Sequence, residues 1–301
     1  MRVAALDLGS NTFLLLIADM EGENFKKIIL DETRVTRLGQ GIHQNREFHS
    51  EALVRAEATL KEFSALIKQN HCEKVVAVAT SAARDARNGS LLLEMGLRYG
   101  IPIQIISGDQ EAAITYDGAT ADLLTHSGAQ VIDVGGGSTE VIGPSDGKLR
   151  GCSLDIGSVR LTEMFLPQHP CSAADLEKLK AYIDEKIFEK RDRLPQSEQR
   201  IIAVAGTPTT LAGIELQTDF DEVKIHKYEL TTKKIWAWRD KLAAMSIEER
   251  QKIPGMQPKR ADVLVAGATI LAATTEALGG DRVVVSTKGV RYGVARAWQK
   301  L

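Results

Sequence analysis

The sequence predicts an α/β protein made of two similar domains, and three observations lead to this prediction. Short apolar runs typical of strands alternate with segments whose apolar residues have helical spacing, as expected for sheets with parallel strands. Two pairs of segments, beginning at Val3 and Ala129 and at Lys74 and Arg200, match at one common separation of 126 residues. The length of 301 residues is sufficient for two ordinary domains.

The composition is that of a globular chain, with 44% hydrophobic and 26% charged residues. A formal net charge of -2 gives no global attraction to nucleic acid, so we expect no nucleic-acid partner. Cys72, Cys152 and Cys171 form no C-x-x-C pair, which argues against a disulfide framework or a zinc site. No signal-peptide pattern and no membrane-length apolar stretch is found, so we expect a cytoplasmic protein without membrane association.

The first half begins with an antiparallel meander, predicted from apolar runs at residues 3–6, 12–18 and 25–35 that short turns connect. Ser50 is the predicted N-cap of the helix that follows. The later elements alternate between helix and strand, which predicts parallel pairing. They are helix 50–69, strand 75–79, helix 91–98, strand 103–106 and helix 110–124.

A strand at residues 130–134 restarts this order. VAALDLGSNT aligns with AQVIDVGGGS, which places Asp7 on Asp133, and KVVAVATS aligns with RIIAVAGT at the same separation. Chance similarity between apolar strands is the alternative, but the shared separation favours a duplicated fold.

The predicted domains are residues 1–125 and 126–288. The second contains additional helical sequence within residues 231–278. Residues 289–301 are predicted to form a helix that packs back on the first domain. A hinge within residues 124–130 would allow two lobes to close on a substrate.

Each predicted domain has a glycine-rich turn between two strands. Glycine permits a sharp turn and close approach to a ligand. Exposed N–H groups beside small polar side chains form an anion-binding concavity. Ordinary hairpin turns are the alternative, but the duplication favours phosphate binding. The predicted phosphate-binding residues of the two turns are Gly9, Ser10, Asn11, Thr12, Gly135, Gly136, Gly137, Ser138 and Thr139.

Carboxylates beside these turns predict a divalent cation. A carboxylate that faces phosphate repels it unless a metal lies between them, and Mg²⁺ prefers one or two carboxylates together with phosphate oxygens and water. We therefore predict Asp133, Glu140 and Asp7 as contacts of Mg²⁺ or Mn²⁺. The alternative is that each aspartate only accepts hydrogen bonds from its turn backbone.

Two further segments follow predicted strands at the edge where α/β folds bind ligands. Ser81 and Arg84 follow the strand at 75–79, and the Arg84 guanidinium suits phosphate oxygens. Glu111 follows the strand at 103–106 and could orient the attacking water as a general base. An acidic residue in a first helical turn is also an ordinary dipole partner, so spacing alone leaves its role open.

Together these segments resemble the exopolyphosphatase/guanosine pentaphosphate phosphatase family over essentially the whole chain. The matching segments are AALDLGSNTF, ATSAARDARN, IISGDQEA, VIDVGGGSTEV, GSVRLTE, AVAGTPTTLAG, RADVLVAGATIL and VVSTKGVRYG. The resemblance implies two ribonuclease-H-like domains of the actin-like ATPase superfamily with a cleft between them.

The resemblance also implies residue roles. The family's catalytic base falls on Glu111 and its phosphate-facing arginine on Arg84. Its phosphate loops fall on the two glycine-rich turns, and its magnesium-associated acids fall on Asp133 and Glu140. Arg260 and Arg291 match family positions as well, without an assigned role.

Two departures from the family pattern qualify these expectations. Many members continue into a helical region that resembles an HD-type domain, whereas this sequence stops at Leu301. We therefore expect short polyphosphates or a nucleotide as substrate. Several members also have Arg-Glu-Gly where this sequence has Arg291-Tyr292-Gly293, so that contact is expected to differ.

The predicted function is Mg²⁺-dependent hydrolysis of the terminal phosphate of polyphosphate or guanosine pentaphosphate, by direct attack of water. A non-catalytic sensor of guanosine tetraphosphate or pentaphosphate is an alternative, which binding without phosphate release would select. An ATP-dependent sugar kinase ranks lower, because no separate substrate domain is apparent. Chain-length preference, the metal and the oligomeric state, including a homodimer, stay open.

Overall fold

The computed structural model describes residues 1–122, 128–145, 148–195 and 200–301. The chain forms two compact units: unit 1 comprises Met1–Gly118 and Val290–Leu301, and unit 2 comprises Ala119–Gly289. The predicted boundary after residue 125 and most of the predicted hinge fall on residues 123–127, outside the described residues.

Unit 1 contains one mixed sheet and the helices that cover it. Its strands are β1 (Arg2–Leu8), β2 (Thr12–Glu21), β3 (Asn24–Val35), β4 (Lys74–Ala79) and β5 (Ile103–Ile105). Its helices are α1 (Ile42–Asn45), α2 (Ser50–Gln69), α3 (Ser81–Asp85), α4 (Ser90–Arg98), α5 (Gly108–Thr120) and α13 (Val290–Arg296).

The strand order in this sheet is β3-β2-β1-β4-β5. β2 runs antiparallel to β1 and β3, whereas β1, β4 and β5 are mutually parallel. The N-cap prediction for α2 was wrong by one residue: the His49 ring accepts the hydrogen bond from the Glu51 backbone, and Ser50 is already helical.

The two faces of this sheet have separate cores. Leu60 and Phe63 of α2 pack with Leu6 of β1 on one face. On the other face, Val290 and Val294 of α13 pack with the small residues of β1. Helix α13 approaches α5 closely, because a Cβ added at Gly293 would overlap the carbonyl oxygen of Ile114.

Unit 2 repeats this plan and adds helices. Its strands are β6 (Gln130–Val134), β7 (Thr139–Ser145), β8 (Lys148–Leu154), β9 (Ile201–Val204), β10 (Glu229–Thr231) and β11 (Arg282–Val285). Its helices are α6 (Ser158–Phe165), α7 (Ala173–Glu189), α8 (Gly206–Leu216), α9 (Glu222–Ile225), α10 (Thr232–Ala243), α11 (Ile247–Gln251) and α12 (Leu264–Ala277).

The sheet of unit 2 has the order β10-β11-β9-β6-β7-β8. Read from β8 to β11, it reproduces the unit 1 order, with β6 in the place of β1 and β9 in the place of β4. As in unit 1, the second strand, here β7, is antiparallel to its neighbours. This is the ribonuclease-H-like strand arrangement, so the predicted fold class of two such α/β domains is confirmed.

The additional helices of unit 2 build a large apolar core. Helix α12 has no polar face over most of its length, and twelve of its fourteen residues, from Leu264 to Thr275, are buried. It packs against α6, α7, α8 and α10. Among the described residues, no helix combines the length and the apolar character that a membrane span requires.

Candidate active site

The turn between β1 and β2 carries the first group of predicted phosphate-binding residues. The Gly9 N–H donates to the Thr12 carbonyl oxygen at 3.0 Å and closes the turn. The Ser10 carbonyl accepts the Gly39 N–H at 2.7 Å, and the Asn11 carbonyl accepts two further N–H groups. The backbone of the turn is thus fixed by the segment after β3.

Ser10 and Ser81 come together although they are 71 residues apart. Their hydroxyl oxygens are 2.8 Å from each other in a buried contact. Parallel pairing of β1 with β4 produces this contact, because both serines follow the carboxyl ends of adjacent strands. Two residues that the sequence predicted separately for phosphate binding therefore belong to one local cluster.

Asn11 has a buried side chain that lacks hydrogen bonds within the described part of the protein. Both its Oδ1 and its Nδ2 are inaccessible to solvent and have no hydrogen-bond partner there. A buried polar atom without a partner costs about 1–3 kcal/mol, and such groups in native proteins call for an explanation. The two polar atoms of Asn11 therefore call for hydrogen-bond partners that the described residues do not supply.

Arg84 and Glu111 form a partly buried ion pair in unit 1. Arg84 Nη1 donates to Glu111 Oε2 at 2.7 Å and to the Ile106 carbonyl oxygen at 3.0 Å. Both residues lie just beyond carboxyl ends of parallel strands: Arg84 lies in α3 after β4, and Glu111 in the first turn of α5 after β5. The side chain of Glu111 is only 7% exposed, unlike that of a dipole partner on a solvated helix surface.

The electrostatic environment of Glu111 contains two opposing effects. Burial raises the pKa of the Glu111 carboxyl, whereas the Arg84 charge and the hydrogen bonds from Arg84 and Thr80 lower it, and burial prevails. A carboxylate with a raised pKa is a stronger base than an exposed one. The direction of this shift makes Glu111 a better proton acceptor than an exposed glutamate.

The turn between β6 and β7 carries the second group of predicted phosphate-binding residues. The Gly135 N–H donates to the Ser138 carbonyl oxygen at 3.0 Å. The N–H groups of Ser158 and Arg160, at the start of α6, donate to the carbonyl oxygens of Gly135 and Gly136. These hydrogen bonds from the first turn of α6 thus fix the backbone of the loop.

Gly157 permits this close contact between α6 and the turn. A Cβ at position 157 would overlap the backbone of Gly136 and Gly137, so any larger residue would displace the loop. Arg160 Nε donates to the Gly137 carbonyl oxygen at 2.8 Å and adds a side-chain contact. Sequence reasoning did not single out either residue as part of the site, although both lie in the GSVRLTE segment.

Asp133 and Glu140 form an acidic pair on the sheet of unit 2. They are directly opposite each other in the β6–β7 register, so their side chains extend from the same face. Both are buried, and the Ser153 hydroxyl donates to Glu140 Oε1 at 2.8 Å. Two adjacent carboxylates fit Mg²⁺, which completes its shell with water and phosphate oxygens. Across the described ranges, no cluster of three or more potential ligand side chains is present.

The two arginines without an assigned role lie in different units. In unit 2, the Arg260 guanidinium lies against Gly206 at the start of α8, where it occupies the space of a missing Cβ. Burial lowers the pKa of Arg260 to about 10, so it stays a cation at neutral pH. In unit 1, Arg291 forms a bidentate ion pair with Asp31.

Comparison with known proteins identifies the same family along almost the whole chain. The sequence profile of the Ppx/GppA phosphatase family matches residues 16–300. Exopolyphosphatase 2 of Mycobacterium tuberculosis is 32% identical over 311 aligned positions, which cover 98% of this chain and 97% of that protein.

Solved structures agree with this relationship. The Ppx/GppA family member of Aquifex aeolicus superposes with a TM-score of 0.81 at 32% identity, over 99% of this chain and 97% of the other. An exopolyphosphatase from Cytophaga hutchinsonii superposes with a TM-score of 0.89 at 26% identity, over 100% of this chain and 99% of the other.

Proposed function

The chain belongs to the Ppx/GppA phosphatase family and is a hydrolase, and from that premise we propose that it removes the terminal phosphate from inorganic polyphosphate. The partly buried Arg84–Glu111 pair is the observation that carries the proposal, and Arg84 lies in the same short helix as Ser81, which contacts Ser10 of the first turn. It combines a base of raised pKa with a phosphate-binding cation.

In the proposed reaction, water attacks the terminal phosphorus while the bond to the bridging oxygen breaks. Glu111 orients the water and accepts its proton, and the shortened polyphosphate leaves with the electron pair of the broken bond. Both described hydrogen bonds of the Arg84 guanidinium come from Nη1, so its Nε and Nη2 are available to phosphate oxygens. Positioning and charge stabilisation supply most of the acceleration in this type of reaction.

The backbone turns have a complementary role in binding. Ser10, Asn11 and Thr12 in unit 1 and Ser138 in unit 2 present hydroxyl, amide and backbone groups that suit phosphate oxygens. The hydroxyl of Thr139, by contrast, already donates to the Ile156 carbonyl oxygen at 2.6 Å. Asn11 in particular gains hydrogen bonds that it lacks within the described protein. Both turns are expected to bind phosphate groups rather than to take part in proton transfer.

Asp133 and Glu140 would hold a divalent cation, Mg²⁺ or Mn²⁺. Such an ion supplies positive charge to phosphate oxygens. Asp7 has no opposite carboxylate, since its partner in the β1–β2 register is Leu14. We therefore assign the main metal contacts to unit 2 and leave Asp7 as an accessory acid.

The test is phosphate release from polyphosphates of defined length and from guanosine pentaphosphate, each with and without Mg²⁺. The proposal expects release from short polyphosphates that depends on the divalent cation. Release from guanosine pentaphosphate alone would change the substrate but keep the chemistry. Tight binding of either compound without any phosphate release would reject hydrolysis and favour a sensor.

A further inference from the structure

Arg291 is a buried cation that two side chains hold in place. Its Nε and Nη2 donate to Asp31 Oδ1 and Oδ2 at 2.7 and 2.8 Å. The Tyr292 hydroxyl donates to the same Asp31 Oδ2 at 3.0 Å. The guanidinium carbon also lies 4.9 Å from the centre of the Tyr292 ring. Asp31 thus receives three hydrogen bonds that fix the direction of the Arg291 guanidinium.

The sheet register places this ion pair beside Asp7. Asp31 on β3 is opposite Leu16 on β2, which is opposite Ala5 on β1. Because side chains alternate along a strand, Asp7 shares the face of Ala5. Helix α13 covers that face, and the charge of Asp7 acts on the Arg291 guanidinium. The cation is therefore next to the acid that precedes the Gly9–Thr12 turn.

Attachment of α13 to the sheet does not by itself account for this pair. Val290, Val294 and Ala295 already bury apolar surface against the sheet. Buried ion pairs add little net stability, because desolvation offsets most of the attraction. A second bidentate pair, from Arg296 to Asp117 of α5, also anchors α13. The Arg291–Asp31 pair differs from it in lying on the same face of the sheet as Asp7, whose charge acts on the guanidinium.

We propose that Asp31 is a positioning residue of the phosphatase site: it orients Arg291, braced by Tyr292, so that the guanidinium offsets the charge of Asp7 next to the turn. The inference rests on the proposed function, because it concerns how a polyanion reaches the same site. An uncompensated Asp7 repels phosphate, and a fixed cation beside it reduces that repulsion.

The variant Asp31→Asn distinguishes the positioning role from a simple charge effect and from a purely structural role. Loss of one negative charge, taken alone, would tighten the binding of a polyanion. A purely structural role would lower thermal stability and leave affinity unchanged. If Asp31 positions Arg291, the variant binds polyphosphate more weakly in spite of its more positive charge, because the guanidinium is no longer held beside Asp7.

The experiment compares Asp31→Asn with the matched control Asp117→Asn, which removes the partner of Arg296 on the same helix. Binding of inorganic tripolyphosphate to the full chain is measured by calorimetry, and phosphate release gives kcat and KM. We expect Asp31→Asn to raise Kd and KM about 10-fold, with a smaller change in kcat. Asp117→Asn should leave Kd and KM within about 2-fold. Asp31→Glu should recover part of the loss, and Tyr292→Phe should weaken binding less than Asp31→Asn does.

Equal or lower Kd values for Asp31→Asn than for Asp117→Asn would overturn the inference, as would a wild-type chain that does not bind tripolyphosphate. A wild-type chain that binds tripolyphosphate but releases no phosphate would reject the proposed hydrolysis only. In that case the ratio of the two variants' Kd values still decides whether Asp31 positions Arg291.

Discussion

The two glycine-rich turns have the same backbone plan but different chemistry around them. In both, a glycine N–H donates to the carbonyl oxygen three residues later at 3.0 Å, from Gly9 to Thr12 in unit 1 and from Gly135 to Ser138 in unit 2. Each turn connects a central strand to an antiparallel neighbour. The two units therefore share the backbone turn, and any difference in their roles must come from the residues around it.

The residues around the two turns differ at positions that the separation of 126 residues makes equivalent. Asp7 is opposite Leu14, whereas Asp133 is opposite Glu140, so only unit 2 has an acidic pair at this place. Conversely, the position of Arg84 in unit 1 corresponds to a buried threonine, Thr210, in unit 2. Under the proposed function, this difference assigns proton transfer to unit 1 and the holding of a cation to unit 2.

The largest expected effect concerns the base in unit 1. Glu111→Gln keeps the shape of the side chain and a hydrogen-bonding oxygen for Arg84 but removes the base, so we expect kcat to fall by about 10²- to 10⁴-fold. Binding of tripolyphosphate should be retained. Steady-state phosphate release and calorimetry measure the two quantities.

Asp109→Asn is the matched control, because Asp109 is an exposed acid in the same first turn of α5. If Glu111 were only a partner of the helix dipole, the two variants would lose similar activity. We expect Asp109→Asn to stay within about 2-fold of the wild type, since exposed dipole partners contribute only about 0.3–1 kcal/mol.

The second effect concerns the acidic pair in unit 2. We expect Glu140→Gln to raise the Mg²⁺ concentration for half-maximal activity by about 10- to 100-fold, because it removes one of two carboxylates. Saturating Mg²⁺ should restore most of kcat, in contrast to Glu111→Gln. Titration of activity with Mg²⁺ checks this, with Glu177→Gln on the exposed surface of α7 as control. A loss of kcat that no Mg²⁺ concentration relieves would remove the distinction between the two units.

The parts of this comparison that the sequence predicted are those encoded locally. The Asp-x-Gly turns and the strands before them depend on short apolar runs and glycine, so their positions could be read directly. The contact between Arg84 and Glu111 followed from one general rule, that carboxyl ends of adjacent parallel strands meet at one edge. The equivalence of the two sheets followed from the common separation of 126 residues.

The parts that it missed depend on contacts between distant segments. Asp31 and Arg291 are 260 residues apart, and no local pattern on β3 distinguishes Asp31 from an ordinary surface acid. The close approach of Gly157 to the second turn depends on where α6 begins in space. One missed feature is local: the cap of α2 falls on His49 because its ring reaches the Glu51 N–H, a contact that residue preferences alone do not favour.

A smaller effect is expected at Asn11, where unit 1 has a buried amide without hydrogen bonds in the described protein. Asn11→Ala should raise KM for tripolyphosphate about 10-fold, which corresponds to one lost hydrogen bond to a charged ligand. It should leave the thermal midpoint unchanged or raise it, because an unsatisfied polar group is removed. A clear drop in the thermal midpoint would instead show that the Asn11 amide stabilises the turn in the absence of ligand.

The smallest expected effect is a shift in the pH dependence of kcat/KM, which should depend on Glu111 and Arg84 of unit 1. Burial raises the pKa of Glu111 and the Arg84 charge opposes it, so the acid limb of kcat/KM should lie above the ordinary glutamate pKa of about 4.3. Removing the opposing charge with Arg84→Gln should raise that pKa further and move the limb to higher pH, in addition to its effect on rate.

Stability should change in the opposite direction to activity over the same pH range. Between the ordinary and the raised pKa, the folded protein binds more protons than the unfolded chain, so its free energy of unfolding decreases as pH rises through this window. Glu111→Gln removes this contribution, and its free energy of unfolding should therefore fall less than that of the wild type across the window. Denaturant unfolding at several pH values measures the difference. An acid limb at or below pH 4.3, or one that Arg84→Gln moves to lower pH, would contradict the assignment of the base to Glu111.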